Sequence, residues 1–136
     1  MGKRNTGRKL AMQALYQAEI REDTMAEILE DSLEQSEYMP ETKDWAISLA
    51  KQTWAHRDTL DPIITRLAIG WEFSRINPID KSLLRMAFYE MIFMKTDPGI
   101  VLNEAIEIAK KYSTDDSPKF LNGILGKYVE TECSQD

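Results

Sequence analysis

One histidine, His56, and one cysteine, Cys133, are all that the 136 residues offer of the two ligands that dominate zinc and transition-metal sites. That removes the usual metal constellations, and a single thiol leaves no disulfide framework, which fits a reducing cytoplasm. Catalytic signatures are missing as well. There is no glycine-rich phosphate loop and no G-x-S-x-G motif. Glu104 and Glu107 share a helical face, but the Glu-x-x-His pair of a di-iron bundle is absent. The expectation is a protein with no catalytic residues, no metal and no cofactor. Charges interrupt every apolar stretch well short of the ~18 residues a membrane span needs. No apolar run follows the basic N-terminus as a secretory leader would require.

What the chain has is charge, unevenly placed. The net charge is −6, yet every charged residue before Glu19 is basic: Lys3, Arg4, Arg8 and Lys9. A cationic arm, residues 1–9, on an acidic body points to a local anionic partner rather than a broad electrostatic surface. The competing reading is an ordinary basic N-terminus without a role.

Helical punctuation runs through the rest. Four of the five prolines follow a capping residue and precede a helical pattern, at Asp61-Pro62, Asn77-Pro78, Asp97-Pro98 and Ser117-Pro118. Gly70 is placed to end the helix begun at Pro62. Thr24 and Glu27 have capping-box spacing, and Trp45, Leu49, Ala50 and Thr53 mark a helix after the Tyr38-Met39-Pro40 loop. No strand pattern, repeat or linker is evident. The prediction is a single all-α domain over 1–136 with a polar tail, 131–136.

The segment from Asn77 to about Lys95 is apolar nearly all round and belongs at the centre of the fold. Glu90 falls on its buried side and needs hydrogen-bond partners. Asp80, in the first turn, either favours the helix dipole or stays exposed as a contact for a protein partner. His56, near the end of the Trp45 helix, reads as a C-terminal dipole partner rather than a base. In the first helix Leu10, Ala11, Ala14, Leu15 and Ala18 form the core stripe. Tyr16 lies on the other side with Met12, Ile20 and Lys9, either packed inside or serving as a platform for a base.

The most informative stretch is Val101 to Leu125: helix, polar loop, helix. Val101, Leu102, Ala105, Ile108, Ala109 and Tyr112 share one face, which leaves Tyr112 open to a core role as well as a binding one. Ser113 to Asp116 break the pattern, and Ser117 before Pro118 reads as an N-cap. Phe120 falls beside the next apolar stripe, among Lys110, Lys111, Lys119 and Lys127. A polar loop entering a helix N-terminus, with lysines and an off-stripe aromatic, can hold a phosphate and stack a base.

This stretch resembles the C-terminal signature of the NusB transcription antitermination factors: Asn103-Glu104-Ala105 through Ala109-Lys110-Lys111, Ser117 to Phe120, and Asn122-Gly123. Ala14-Leu15-Tyr16 and Leu84-Arg85 to Tyr89-Glu90 agree in order and spacing. The resemblance implies about seven helices in two small bundles and a non-catalytic role. It also implies pairing with NusE, a small-subunit ribosomal protein, on the boxA element of nascent RNA. That pair would join NusA, NusG and RNA polymerase to carry transcription through ribosomal RNA operons. Unpaired RNA also suits the residues better than duplex DNA, since no strongly basic reading helix is present. The candidate RNA contacts are Lys3, Arg4, Arg8, Lys9, Tyr16, Tyr112, Asp116, Ser117, Lys119 and Phe120, with Asp80 for a protein partner. The family commonly opens on an arginine-rich run; Arg4-Asn5-Thr6-Gly7-Arg8-Lys9 has fewer arginines and a helix-weakening glycine. The rival expectation is a protein–protein adaptor or homodimer whose RNA contact is weak or supplied by its partner.

Overall fold

The computed structural model describes residues 2–21, 24–31 and 37–133, and the side chains of Lys3 and Cys133 fall outside the described set. The described residues contain no strand. Their order is α1 (Gly2–Ile20), α2 (Met25–Leu29), α3 (Pro40–Ala55), α4 (Arg57–Leu67), α5 (Pro78–Ile92), α6 (Pro98–Tyr112) and α7 (Ser117–Tyr128). A 3-10 turn, Phe73–Arg75, precedes α5, and a π-helical turn, Val129–Cys133, follows α7. The seven α-helices implied by the resemblance are therefore present, in two compact units, Met1–Ala55 and His56–Asp136.

In the first unit α1 lies along α3, and α2 closes the group. Leu10, Ala11, Ala14, Leu15 and Ala18 are all buried, as their helical spacing requires, together with Ile28, Leu29, Ala46, Leu49 and Ala50. Thr24 and Glu27 form the capping box in full, each side chain bonded to the other's backbone N–H. Met12, assigned to the far side of α1, is buried too, at 2% exposure. Tyr16 is half-buried.

The second unit is built on α5, which touches α4, α6 and α7. Burial runs almost unbroken from Asp80 to Met91, so the all-round apolar pattern did mark the central helix. Asn77 caps it as expected, accepting from Ile79 N at 2.8 Å, with Pro78 at the first helical position. Glu90, buried as predicted, is 1% exposed.

The start of α4 differs from the expectation. α4 begins at Arg57 and carries Pro62 inside it rather than starting there. Asp61 is not a cap because its carboxylate is committed elsewhere: both oxygens receive the Arg85 guanidinium, at 2.8 and 2.9 Å. His56 stands between α3 and α4 at the N-cap of α4, its ring 4.5 Å from that of Phe93. It therefore sits beyond the α3 C-terminus as an aromatic packing partner. Past α4, Ala68 C=O accepts from Trp71 N at 3.1 Å, and Gly70 has φ of +85°. A turn with positive φ at its third residue is the arrangement glycine permits at no steric cost.

The Asp61–Arg85 pair and the Arg66–Glu132 pair give a stability contrast. The Arg85 side chain is 4% exposed and Asp61 26%, whereas Arg66 and Glu132 are 55% and 36% exposed. Asp61→Ala takes the carboxylate away from a buried guanidinium and should cost on the order of 3 kcal/mol, while Glu132→Ala should cost less than about 1 kcal/mol. Equilibrium urea unfolding of both variants measures the difference.

Candidate nucleic-acid interface

The loop between α6 and α7 is held from below by α5. Ser113 Oγ donates to Asp80 Oδ1 at 2.7 Å and Ser117 Oγ donates to Asp80 Oδ2 at 2.8 Å. Each hydroxyl has one proton to give. With Ser117's proton on Asp80, its oxygen accepts from Thr114, whose N lies at 3.2 Å and whose Oγ1 at 2.8 Å. Asp80 is 5% and Ser117 1% exposed. Ser117 is thus the first residue of α7 rather than its cap, because its hydroxyl is drawn inward to a carboxylate. Asp116 occupies the cap position and makes no side-chain capping bond. Asp80, expected at a protein partner, has both oxygens committed to this loop.

The outward side of the loop borders a cleft of about 450 Å³ lined by Trp71, Arg75, Asn77, Asp116, Lys119 and Phe120 among others. Trp71 and Phe120 meet edge to face, centroids 5.0 Å apart and planes at 62°. Such a corner leaves ring surface available for stacking, and Trp71 is 54% exposed. Arg75 and Lys119 supply positive charge. Arg75 pairs with Glu72 at 3.3 Å, both largely exposed, an interaction worth little in water. The helix end itself offers less to an anion than the sequence implied. Pro118 has no N–H, and Ser117 N is bonded to Thr114 C=O at 3.1 Å. Phosphate affinity here falls to side chains rather than to bare backbone donors.

Of the sequence candidates, the structure brings Asp116, Ser117, Lys119 and Phe120 together at this cleft, with Asp80 beneath. Tyr112 is 40% exposed and outside the lining. In the first unit Arg4 and Arg8 lie over the Trp45 ring, 4.6 and 5.3 Å from its centroid. Lys9 Nζ donates to Tyr38 Oη at 3.1 Å. Arg8, at 6% exposure, is a packing residue as much as a cation. Lys3 lies outside the described side chains. Sequence reading missed Trp71, Arg75 and Trp45. The Gly70-Trp71 turn was the available signal, since a large aromatic directly after a turn glycine lies off any helical stripe.

Comparison with known proteins places the chain among transcription antitermination proteins of one family. The NusB family model matches residues 5–130. The transcription antitermination protein NusB of Geobacter sulfurreducens is 40% identical over 133 residues, covering 96% of each chain. The structure of T. maritima NusB superposes with a TM-score of 0.86 at 33% identity, covering 94% of this chain and 91% of that one. The antitermination factors NusB and NusE in complex with dsRNA give 0.86 at 25% identity, covering 96% and 98%.

Two predictions follow from the cleft. Trp71→Ala and Phe120→Ala should each weaken binding to a single-stranded RNA by about 1–3 kcal/mol if a base stacks in the corner, measured by fluorescence anisotropy with circular dichroism confirming the fold. Unchanged affinity in both would leave the rings as ordinary packing. Asp116 places a carboxylate on the same cleft, and like charges about 4 Å apart repel by roughly 1 kcal/mol in water. Asp116→Asn should therefore tighten RNA binding several-fold while keeping an oxygen for the turn. Asp31→Asn, exposed in the first unit, should change affinity far less. Equal affinity of wild type and Asp116→Asn at low salt would remove this loop from the site.

Proposed function

The chain belongs to the NusB family, and from that footing we propose that it is a transcription antitermination factor that binds boxA-like RNA together with the ribosomal protein NusE. The observation that carries this reading is the Trp71–Phe120 corner with Arg75 and Lys119 on one cleft. Aromatic faces take bases of any sequence, and cations beside them take the backbone. A relative has been crystallised with NusE and double-stranded RNA, which supports both partners for this chain. We extend the reading to the larger assembly with NusA, NusG and RNA polymerase on ribosomal RNA operons, acting in the cytoplasm. No described helix is long and apolar enough to cross a membrane. The role is one of binding and assembly, without a catalytic step.

The test is a titration of boxA-like and scrambled single-stranded RNA, and of a duplex, with and without NusE. If roughly four or five cations meet phosphates, log affinity for single strands should fall with log salt at a slope of about −3, each contact giving about −0.7. NusE should raise the preference for boxA over the scrambled strand. A slope near zero, with NusE still bound, would instead identify an adaptor whose RNA contacts come from the partner.

A further inference from the structure

Gly7 and Trp45 meet more closely than any side chain on Gly7 would allow. A Cβ built on Gly7 would lie 2.6 Å from Trp45 Cε3 and 3.1 Å from Cζ3. The glycine that weakens α1 on propensity grounds is the notch that admits the benzo edge of the indole. Arg4 and Arg8, three residues before it and one after, then bring their guanidinium carbons over the same ring at 4.6 and 5.3 Å. Arg8 is buried at 6% exposure, while Arg4 is exposed. The two arginines over the ring therefore divide their work: Arg8 packs the helix, and Arg4 faces solvent.

We propose that Trp45 is a positioning residue for RNA binding, holding the Arg4 guanidinium stacked so that its in-plane N–H donors are presented to a phosphate. This inference rests on the RNA-binding function proposed above. A stacked guanidinium keeps its hydrogen-bonding fork free, because the donors lie in the plane and the stack uses the face. The ring also removes rotamer freedom that an arginine otherwise loses on binding. The surroundings make that restraint matter. Glu41 and Asp44 line the same cleft, of about 430 Å³, with Arg4 and Trp45. An Arg4 off the ring has those carboxylates as competing partners. A chain with few arginines in its arm thus gains from ordering the one it exposes.

The experiment is a double-mutant cycle on affinity for a single-stranded boxA-like RNA oligonucleotide, using wild type, Trp45→Leu, Arg4→Ala and the double variant. Trp45→Leu should weaken binding about two- to tenfold in the wild-type background and leave affinity unchanged in the Arg4→Ala background. Trp45→Phe, which retains a ring, should keep most of the affinity. Gly7→Ala favours the helix but pushes the indole aside, so it should lose affinity in the direction of Trp45→Leu. Without RNA, the Arg4 Nε–H order parameter by NMR should drop in Trp45→Leu. Equal losses from Trp45→Leu in both backgrounds, no loss in either, or an unaltered Arg4 order parameter would overturn the proposal. A wild type that binds no RNA at low salt would overturn the functional reading and this one with it, whereas additive losses on a binding wild type overturn this one alone.

Discussion

A carboxylate buried in a helix that is apolar nearly all round must be met by donors, and Asp80 finds them in the hydroxyls of Ser113 and Ser117. Those residues flank the loop between α6 and α7, so satisfying one buried charge fixes where the chain turns. The consequence reaches outward. With Ser117 pulled down onto α5, the residues around it, Asp116, Lys119 and Phe120, line the cleft. Removing a donor from this cluster would leave a buried charge short of partners, which costs more than the hydrogen bond itself contributes.

The same helix anchors the opposite wall by the same logic. Lys81 and Arg85 are 5% and 3% exposed, and both lie over the Phe73 ring, at 4.4 and 5.5 Å. Phe73 opens the 3-10 turn that follows Trp71 closely in the chain. Arg85 also takes the Asp61 carboxylate and so ties α4 to α5. The charges on the N-terminal half of α5 are individually costly to bury and collectively useful: each sets the position of a neighbouring segment that a purely apolar helix would leave free to slide. Cleft geometry is thus a by-product of charge satisfaction in the core.

This explains what could and could not be read from the residues alone. The α5 pattern, the Thr24–Glu27 capping box and the Asn77-Pro78 start are local signals, and the structure keeps each of them. Asp61-Pro62, Asp97-Pro98 and Ser117-Pro118 carry the same local signal, yet none of these three side chains caps its helix; for Asp61 and Ser117 a long-range partner, Arg85 or Asp80, takes the side chain instead. Local chemistry cannot reveal a competitor 24 or 37 residues away. Asp80 shows the limit in reverse: a first-turn acid reads equally as a dipole partner or an exposed contact until the loop that covers it is placed. At the candidate site, Phe120 was legible as an off-stripe aromatic after a polar loop, and Lys119 as one of the lysines around it. Trp71 stood out only as an aromatic after a turn glycine; its partner in the corner is Phe120, far along the chain, and only folding brings the two rings within 5.0 Å.

Gly7 turns the usual argument about helix propensity around. Glycine inside a helix costs about 1 kcal/mol relative to alanine, and α1 runs through Gly7 without interruption. The indole edge that enters the notch offsets that cost, since the ring buries apolar surface against α1 and gathers two guanidinium groups over it. Read as composition, residues 1–9 are a short, arginine-poor basic arm. Read as structure, Arg4, Arg8 and Lys9 each rest on an aromatic ring of another segment, Trp45 for the arginines and Tyr38 for the lysine. Charge that is already ordered loses less freedom on meeting a phosphate than charge on a loose chain. On the RNA-binding role proposed above, the number of cations therefore understates what this arm contributes, and the aromatic residues beneath them belong in any account of its affinity.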